Sequence, residues 1–266
     1  MARKKLQGQV AIITGGSRGL GLATAEQLVQ AGATVILTAR SEDQVTAAAK
    51  NLSKNGARVL GVAADIADLE HVERVVETTL AQFGRIDILI NNAATVWPID
   101  EVAETDPDEW AYNIHVNLVG PFYMVHHALP AMLDQKYGRI VNVSSGLGHI
   151  PTAGLSAYGA AKAGLDQFTR VLALETKNTG ITVNALYPGI LNTDMQADLR
   201  SVDTTESVLD LKMFHEAYDS GKIAAPATAA RMIYWLVGPW SRQQSGEIFT
   251  SRDQTWLDQV QRDINM

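Results

Sequence analysis

The sequence predicts an α/β fold with a doubly wound parallel sheet, and three observations carry that prediction. Short β-branched runs recur along the chain, each is apolar throughout rather than at alternate positions, and stretches with apolar residues at helical spacing lie between them. A strand that is apolar on both faces belongs in a parallel sheet covered by helices on each side. The first run, VAIIT at 10–14, ends in a glycine cluster and is followed by helical spacing from Leu20 to Ala31. TVILT at 34–38 leads into a helix reaching about Asn55, and RVLGV at 58–62 into a helix over 69–82. RIDILI at 85–90 precedes a longer helical stretch, and RIVNVS at 139–144 a helix from about Ala157 to Asn178. ITVNALY at 181–187 precedes an irregular and helical section, and GEIFT at 246–250 reads as the last short strand. No linker, low-complexity tract or repeat interrupts the pattern, so residues 1–266 are expected to form a single domain.

Composition removes several classes of function. With 46% hydrophobic residues the chain can bury a full core. It has no cysteine, which excludes disulfides, a thiolate nucleophile and cysteine-bound zinc and agrees with a reducing compartment; no metal site is expected. No apolar run approaches the roughly 20 residues that span a bilayer, so no membrane partner is expected and a cytoplasmic location follows by default. The net charge of −7 argues against a nucleic-acid surface, and the one basic run, Arg3, Lys4 and Lys5, reads as a solvated terminus.

TGGSRGLG at 14–21 sits on the first strand-to-helix turn, where a glycine-rich backbone can approach a pyrophosphate and a helix N-terminus supplies free N–H groups. Gly15, Gly19 and Gly21 are the expected contact glycines, with Ser17, Arg18 and Leu20 between them, although glycines also serve turns and close packing. The choice of dinucleotide is a question of charge. The second strand ends at Arg40 with no carboxylate before Glu42, and Arg18 lies in the loop itself. Two arginines can clamp a 2′-phosphate, which predicts NADP(H) over NAD; the alternative is that both are ordinary solvated cations.

SSGLGHIPTAGLSAYGAAK at 144–162 brings the acid–base candidates. Tyr158 and Lys162 are four apart and share a helix face. A nearby ammonium is expected to lower the phenol pKa from about 10, making it a usable proton donor. Ser145, at the end of the preceding strand, is placed to hydrogen-bond a substrate oxygen. A Tyr-x-x-x-Lys spacing also arises by chance on surfaces, and the small residues around it suit close helix packing.

These motifs together resemble the short-chain dehydrogenase/reductases, in their compact single-domain branch, over about Gly8 to Thr250. The resemblance implies a Rossmann-type sheet of strand order 3-2-1-4-5-6-7 and homo-dimers or homo-tetramers. It likens Asp65, with Ile66 beside it, to the acidic residue at the adenine, and NNAA at 91–94, with Asn92 and Ala93, to the stretch lining that side. Asn117 matches the asparagine that holds a water linking the lysine to solvent. Ser145, thirteen residues before Tyr158, is favoured over Ser144 as the catalytic serine. Pro188, Gly189 and Thr193 fall where the family lines the nicotinamide half, and Tyr158 and Lys162 also contact the cofactor. The implied reaction is NADP(H)-dependent reduction of a small carbonyl compound, a ketone or diketone. The tail SGEIFTSRDQTW departs from the family by lacking its aspartate and paired glycines.

The substrate is less legible. A lid is expected at about 190–225, where Leu191, Met195, Leu199, Leu209, Leu211, Met213, Phe214 and Tyr218 either cover the substrate or pack as ordinary helices. Trp97, Leu147, His149 and Met195 are candidate substrate contacts. NTDMQADLR with DSGKIAAPATAA is similar to the sepiapterin reductase and benzil reductase branch. Leu174, at a position where a carrier-binding arginine is sought, and the net acidity argue against the acyl-carrier reductase branch. The alternatives are an NAD-dependent dehydrogenase of a sterol or sugar alcohol and a catalytically silent NADP(H)-binding sensor.

Overall fold

The structure is a computed structural model that describes residues 4–204, 208–221 and 223–265. Arg3 and positions 205–207 and 222 within the expected lid lie outside the described residues.

The strands are β1 (Val10–Thr14), β2 (Thr34–Ala39), β3 (Val59–Ala63), β4 (Ile88–Asn91), β5 (Gly138–Val143), β6 (Ile181–Tyr187) and β7 (Ile248–Thr250). They form one parallel sheet in the order β3-β2-β1-β4-β5-β6-β7. Every residue of β1 and β5 is buried, as strands apolar on both faces require. One face is covered by α1 (Gly19–Gln30), α2 (Glu42–Leu52), α9 (Pro226–Val237) and α10 (Gln254–Asn265) through Leu28, Val45, Ile233 and Val260. The other is covered by α3 (Leu69–Phe83), α5 (Gly120–Gln135) and α6 (Ser156–Glu175) through Val75, Met124, Ala128 and Leu172. Three shorter helices, α4 (Pro107–Ile114), α7 (Asp194–Ser201) and α8 (Lys212–Asp219), lie in the long connections. The strand order reverses between β1 and β4, which opens a crevice at the carboxyl ends of the strands.

Several predicted boundaries shift by a few residues. β4 starts at Ile88 because Asp87 turns inward to accept from the Val10 backbone N–H (2.8 Å) and pairs with Arg85 (2.6 Å). α6 stops at Glu175, and Asn178 and Gly180 then take left-handed conformations (φ 66° and 86°) that no helix continues through. β7 keeps only its last three predicted residues. The tail after it, to which the sequence reading assigned no element, forms α10, whose Asp263 accepts from Trp235 Nε1 (2.7 Å) while Trp256 packs on Trp235 and Phe249. Among the described residues no helix is long and apolar enough to cross a membrane, and no cluster of His, Cys, Asp or Glu could hold a metal.

Candidate active site

The crevice is a cleft of about 700 Å³. Its walls include Gly15, Ser17, Arg18, Gly19, Leu20, Arg40, Asp65, Ile66, Asn92 and Ala93 on one side. Ser145, Leu147, Tyr158, Lys162, Pro188, Gly189, Thr193 and Met195 form the other. Four other sequence candidates, Gly21, Asn117, Trp97 and His149, do not line it.

The glycine loop is shaped from below. Thr14 Oγ1 accepts the backbone N–H groups of Asn92 (2.9 Å) and Ala93 (3.0 Å), and Asn92 Nδ2 donates to the Thr14 carbonyl (2.8 Å), stapling the ends of β1 and β4 together. A Cβ on Gly15 would stand 2.9 Å from Ala93 Cα, and Gly15 and Gly19 have φ of +63° and +54°. A Cβ on Gly21 would meet the Gly15 carbonyl at 2.2 Å, so Gly21 keeps α1 against the loop rather than facing the cleft. No side chain caps the α1 N-terminus and its first turn holds no acidic residue. Uncapped N–H groups beneath a glycine cradle fit a pyrophosphate-bearing dinucleotide.

On the adenine side the two arginines take separate partners. Arg18 pairs with Asp194 across the cleft mouth, both side chains about two-thirds exposed. Arg40 Nη1 donates to Tyr112 Oη (3.2 Å), whose hydroxyl donates to Asp65 Oδ2 (2.8 Å). Neither Asp194 nor Tyr112 was among the sequence candidates.

At the other end, Ser145 follows β5 while Tyr158 and Lys162 rise from the first turns of α6; Tyr158 is 7% exposed and Lys162 2%. Ser144 donates to the Lys162 carbonyl (3.3 Å), whereas Ser145 Oγ accepts from Leu147 N (3.2 Å) and hydrogen-bonds the Tyr158 side chain. Lys162 Nζ lies 5.5 Å from the Tyr158 ring centroid and donates to the Val143 carbonyl (2.9 Å). The expected lowering of the phenol pKa is corrected here. Burial pushes Tyr158 up to about 12, opposed by the hydrogen bond from Ser145, because the desolvated phenolate loses more than its surroundings return. Burial likewise lowers Lys162 to about 8, opposed by the charge of Asp166 one turn further along α6.

Asp166 is a further residue that the sequence reading missed. It is fully buried; its Oδ2 accepts from the Tyr187 hydroxyl and lies 3.0 Å from His149 Nε2, and its Oδ1 has no partner. Burial and the Asp166 carboxylate both raise the Tyr187 pKa. His149 is thereby turned to Asp166 and away from the cleft. Trp97 is 46% exposed, and its carbonyl accepts from Asn113 Nδ2 (2.7 Å). Asn117 lies in a π-turn between α4 and α5, where its amide donates to the Thr95 carbonyl (2.8 Å) and its buried Oδ1 has no partner. Of the expected lid, Leu191, Met195, Leu199, Met213 and Phe214 line the cleft. Leu209 and Leu211 pack beside them, whereas Tyr218 is exposed beneath the Arg200 guanidinium (4.0 Å).

Sheet order, glycine cradle and buried Tyr–Lys pair define a dinucleotide-binding enzyme of the doubly wound class. The family model described as short chain dehydrogenase matches residues 9–204, and the chain belongs to that family of oxidoreductases. It is 36% identical over 242 residues to the 3-oxoacyl-(acyl-carrier-protein) reductase FabG of Vibrio harveyi, covering 91% of this chain and 95% of that one. A crystal structure of an actinorhodin polyketide ketoreductase variant with NADPH superposes with a TM-score of 0.84 at 30% identity, covering 91% of this chain and 95% of that chain. NAD+-bound xylitol dehydrogenase does so with a TM-score of 0.84 at 25% identity, covering 93% and 98%. The silent-sensor alternative is set aside by this membership. The Vibrio relative comes from the acyl-carrier branch, which Leu174 and the net charge were read against.

Proposed function

We propose that the chain is an NADP(H)-dependent carbonyl reductase acting on a ketone with apolar substituents. The observation that carries this reading is the meeting of Ser145, Tyr158 and Lys162 at one end of a cleft whose other end holds Arg18 and Arg40. When bound, the nicotinamide supplies a hydride to the carbonyl carbon. The Tyr158 phenol gives its proton to the carbonyl oxygen, and Ser145 hydrogen-bonds that oxygen and holds it beside the phenol. Lys162 binds the ribose and keeps its positive charge near the phenol as the proton leaves, with its ammonium anchored on the Val143 carbonyl. The buried, unpartnered Oδ1 of Asn117 is suited to accept from a water serving that lysine.

NADP(H) is supported by the two cations and by the absence of a carboxylate directly after β2. Arg40 binds the 2′-phosphate, with Tyr112 holding its guanidinium in place. Leu147, Ile190, Met195, Leu199, Met213 and Phe214 give the substrate end an apolar wall, and we assign the described residues of 190–225 as its lid. Exposed Phe122, Leu133 and Val171 on α5 and α6 support a homo-dimer or homo-tetramer.

The test is oxidation of NADPH, and separately of NADH, with a panel of diketones, aromatic ketones, β-ketoacyl thioesters and quinones. Turnover of at least one ketone with NADPH preferred is the expected result. Preference for NADH, or turnover confined to sugar or sterol alcohols with NAD+, would overturn the proposal.

A further inference from the structure

The sheet carries a second, unassigned groove at its far end, and that groove is basic in an acidic protein. It opens beside the first residues of β5 and β6, whereas the active-site cleft lies at their last residues. Five of the fifteen residues lining it are Lys or Arg and none is Asp or Glu, although the chain has 29 acidic residues against 22 basic ones.

Two of these cations have a local explanation. Lys136 caps the end of α5 and Lys177 lies just beyond α6, where positive charge meets the carbonyl end of a helix. That reasoning does not reach Arg139, which sits inside β5 and is only 5% exposed. Its Nη1 donates to the carbonyls of Gly138 (2.7 Å) and Gly180 (2.9 Å), and the Tyr137 ring covers it at 4.3 Å. Its Nε is buried with no partner, and no carboxylate pairs with it among the described residues. A buried guanidinium without a counter-charge is costly, and here a second one, Arg242, stands close enough to repel it. Arg170 and Arg242 are exposed on the groove walls, and among the described residues no ion pair involves either.

We propose that this groove binds a small multivalent anion of the phosphate class, a phosphate ester or pyrophosphate, with Arg139 as its floor and Arg170 and Arg242 as its clamp. Such a ligand supplies the counter-charge that the fold omits, and guanidinium forks match phosphate oxygens in pairs. The site lies at the opposite strand ends from the cofactor cleft and does not rest on the catalytic reading.

The experiment is calorimetric titration of inorganic pyrophosphate into the full chain at constant ionic strength, with and without saturating NADP+. Saturable binding is expected in both conditions and, with the cofactor cleft filled by NADP+, is weakened tenfold or more in Arg242→Gln and in Arg170→Gln and unchanged in Arg40→Gln. Three results would overturn it: no saturable binding up to millimolar pyrophosphate, affinity equal to wild type in both groove variants, or loss of binding with NADP+ or in Arg40→Gln. The last would put the anion in the cofactor cleft. Binding of an acidic polypeptide without binding of pyrophosphate would likewise sink the small-anion assignment.

Discussion

The two ends of the cleft are built on opposite physical terms. At the Tyr158 end the ionisable groups are buried, held by β5 and α6, and shifted in pKa by desolvation. At the Arg40 end they are exposed, and their partners, Tyr112 and Asp194, are also at the surface. In the first region the fold sets the chemistry of each group. In the second the groups stand at the surface and the fold sets only where they stand. Substitutions should therefore cost far more at the buried end, and pH should act there first.

The largest expected effect is that of Tyr158→Phe, which removes the proton donor and should lower kcat by about 10² to 10⁴. NADPH affinity, read by fluorescence titration, should stay within about twofold of wild type, since no charge is lost. Near-normal turnover in that variant would end the distinction between the two regions.

Next comes the pH dependence of stability. Lys162 titrates near 8 when folded and about 10.5 when unfolded, so between those values the unfolded chain binds more protons and stability rises with pH, by on the order of 3 kcal/mol. Tyr158 titrates near 12 when folded and about 10 when unfolded, so above pH 10 the unfolded chain loses a proton that the folded chain keeps, and stability falls. Urea melts between pH 7 and 11 should pass through a maximum near pH 10. Asp166→Asn removes the charge that supports the Lys162 ammonium, and the rising limb should begin at a lower pH than in wild type. An unmoved limb would show that the carboxylate does not act on Lys162.

At the exposed end, Arg40→Asp should reduce the ratio of kcat/KM for NADPH over NADH by roughly tenfold or more, the scale of one charge-assisted contact. Tyr112→Phe is the mildest change. It keeps the ring and removes the hydrogen bonds to Arg40 and Asp65, so the KM for NADPH should rise only about two- to fivefold with kcat unchanged. A larger loss for Tyr112→Phe than for Tyr158→Phe would invert the comparison.

Much of this was legible because it depends on neighbours in the chain. The seven strands were each located by a local apolar run, and the helical repeat placed Tyr158 and Lys162 on one face. The α10 helix was missed although Trp256, Leu257, Val260 and Ile264 carry helical spacing, because the surrounding residues are polar. Asp166 stands one helical turn from Lys162 but nothing local marks its burial, and Tyr112 and Asp194 carried no local signal. Their partners lie 21, 47 and 176 residues away, at Tyr187, Asp65 and Arg18.

By itself the sequence determined the alternation of strand and helix, the cradle of glycines after β1 and the residue types available for proton transfer, since periodicity and backbone freedom act over a few residues. Tertiary structure alone decided which charges are buried and what each one meets. It turned His149 toward Asp166, gave Arg18 and Arg40 different partners, moved the Tyr158 pKa up rather than down and left Arg139 without a carboxylate among the described residues. The physical reason is that desolvation and Coulomb energy depend on distance through space and on the surrounding medium, and neither is fixed until the chain has folded.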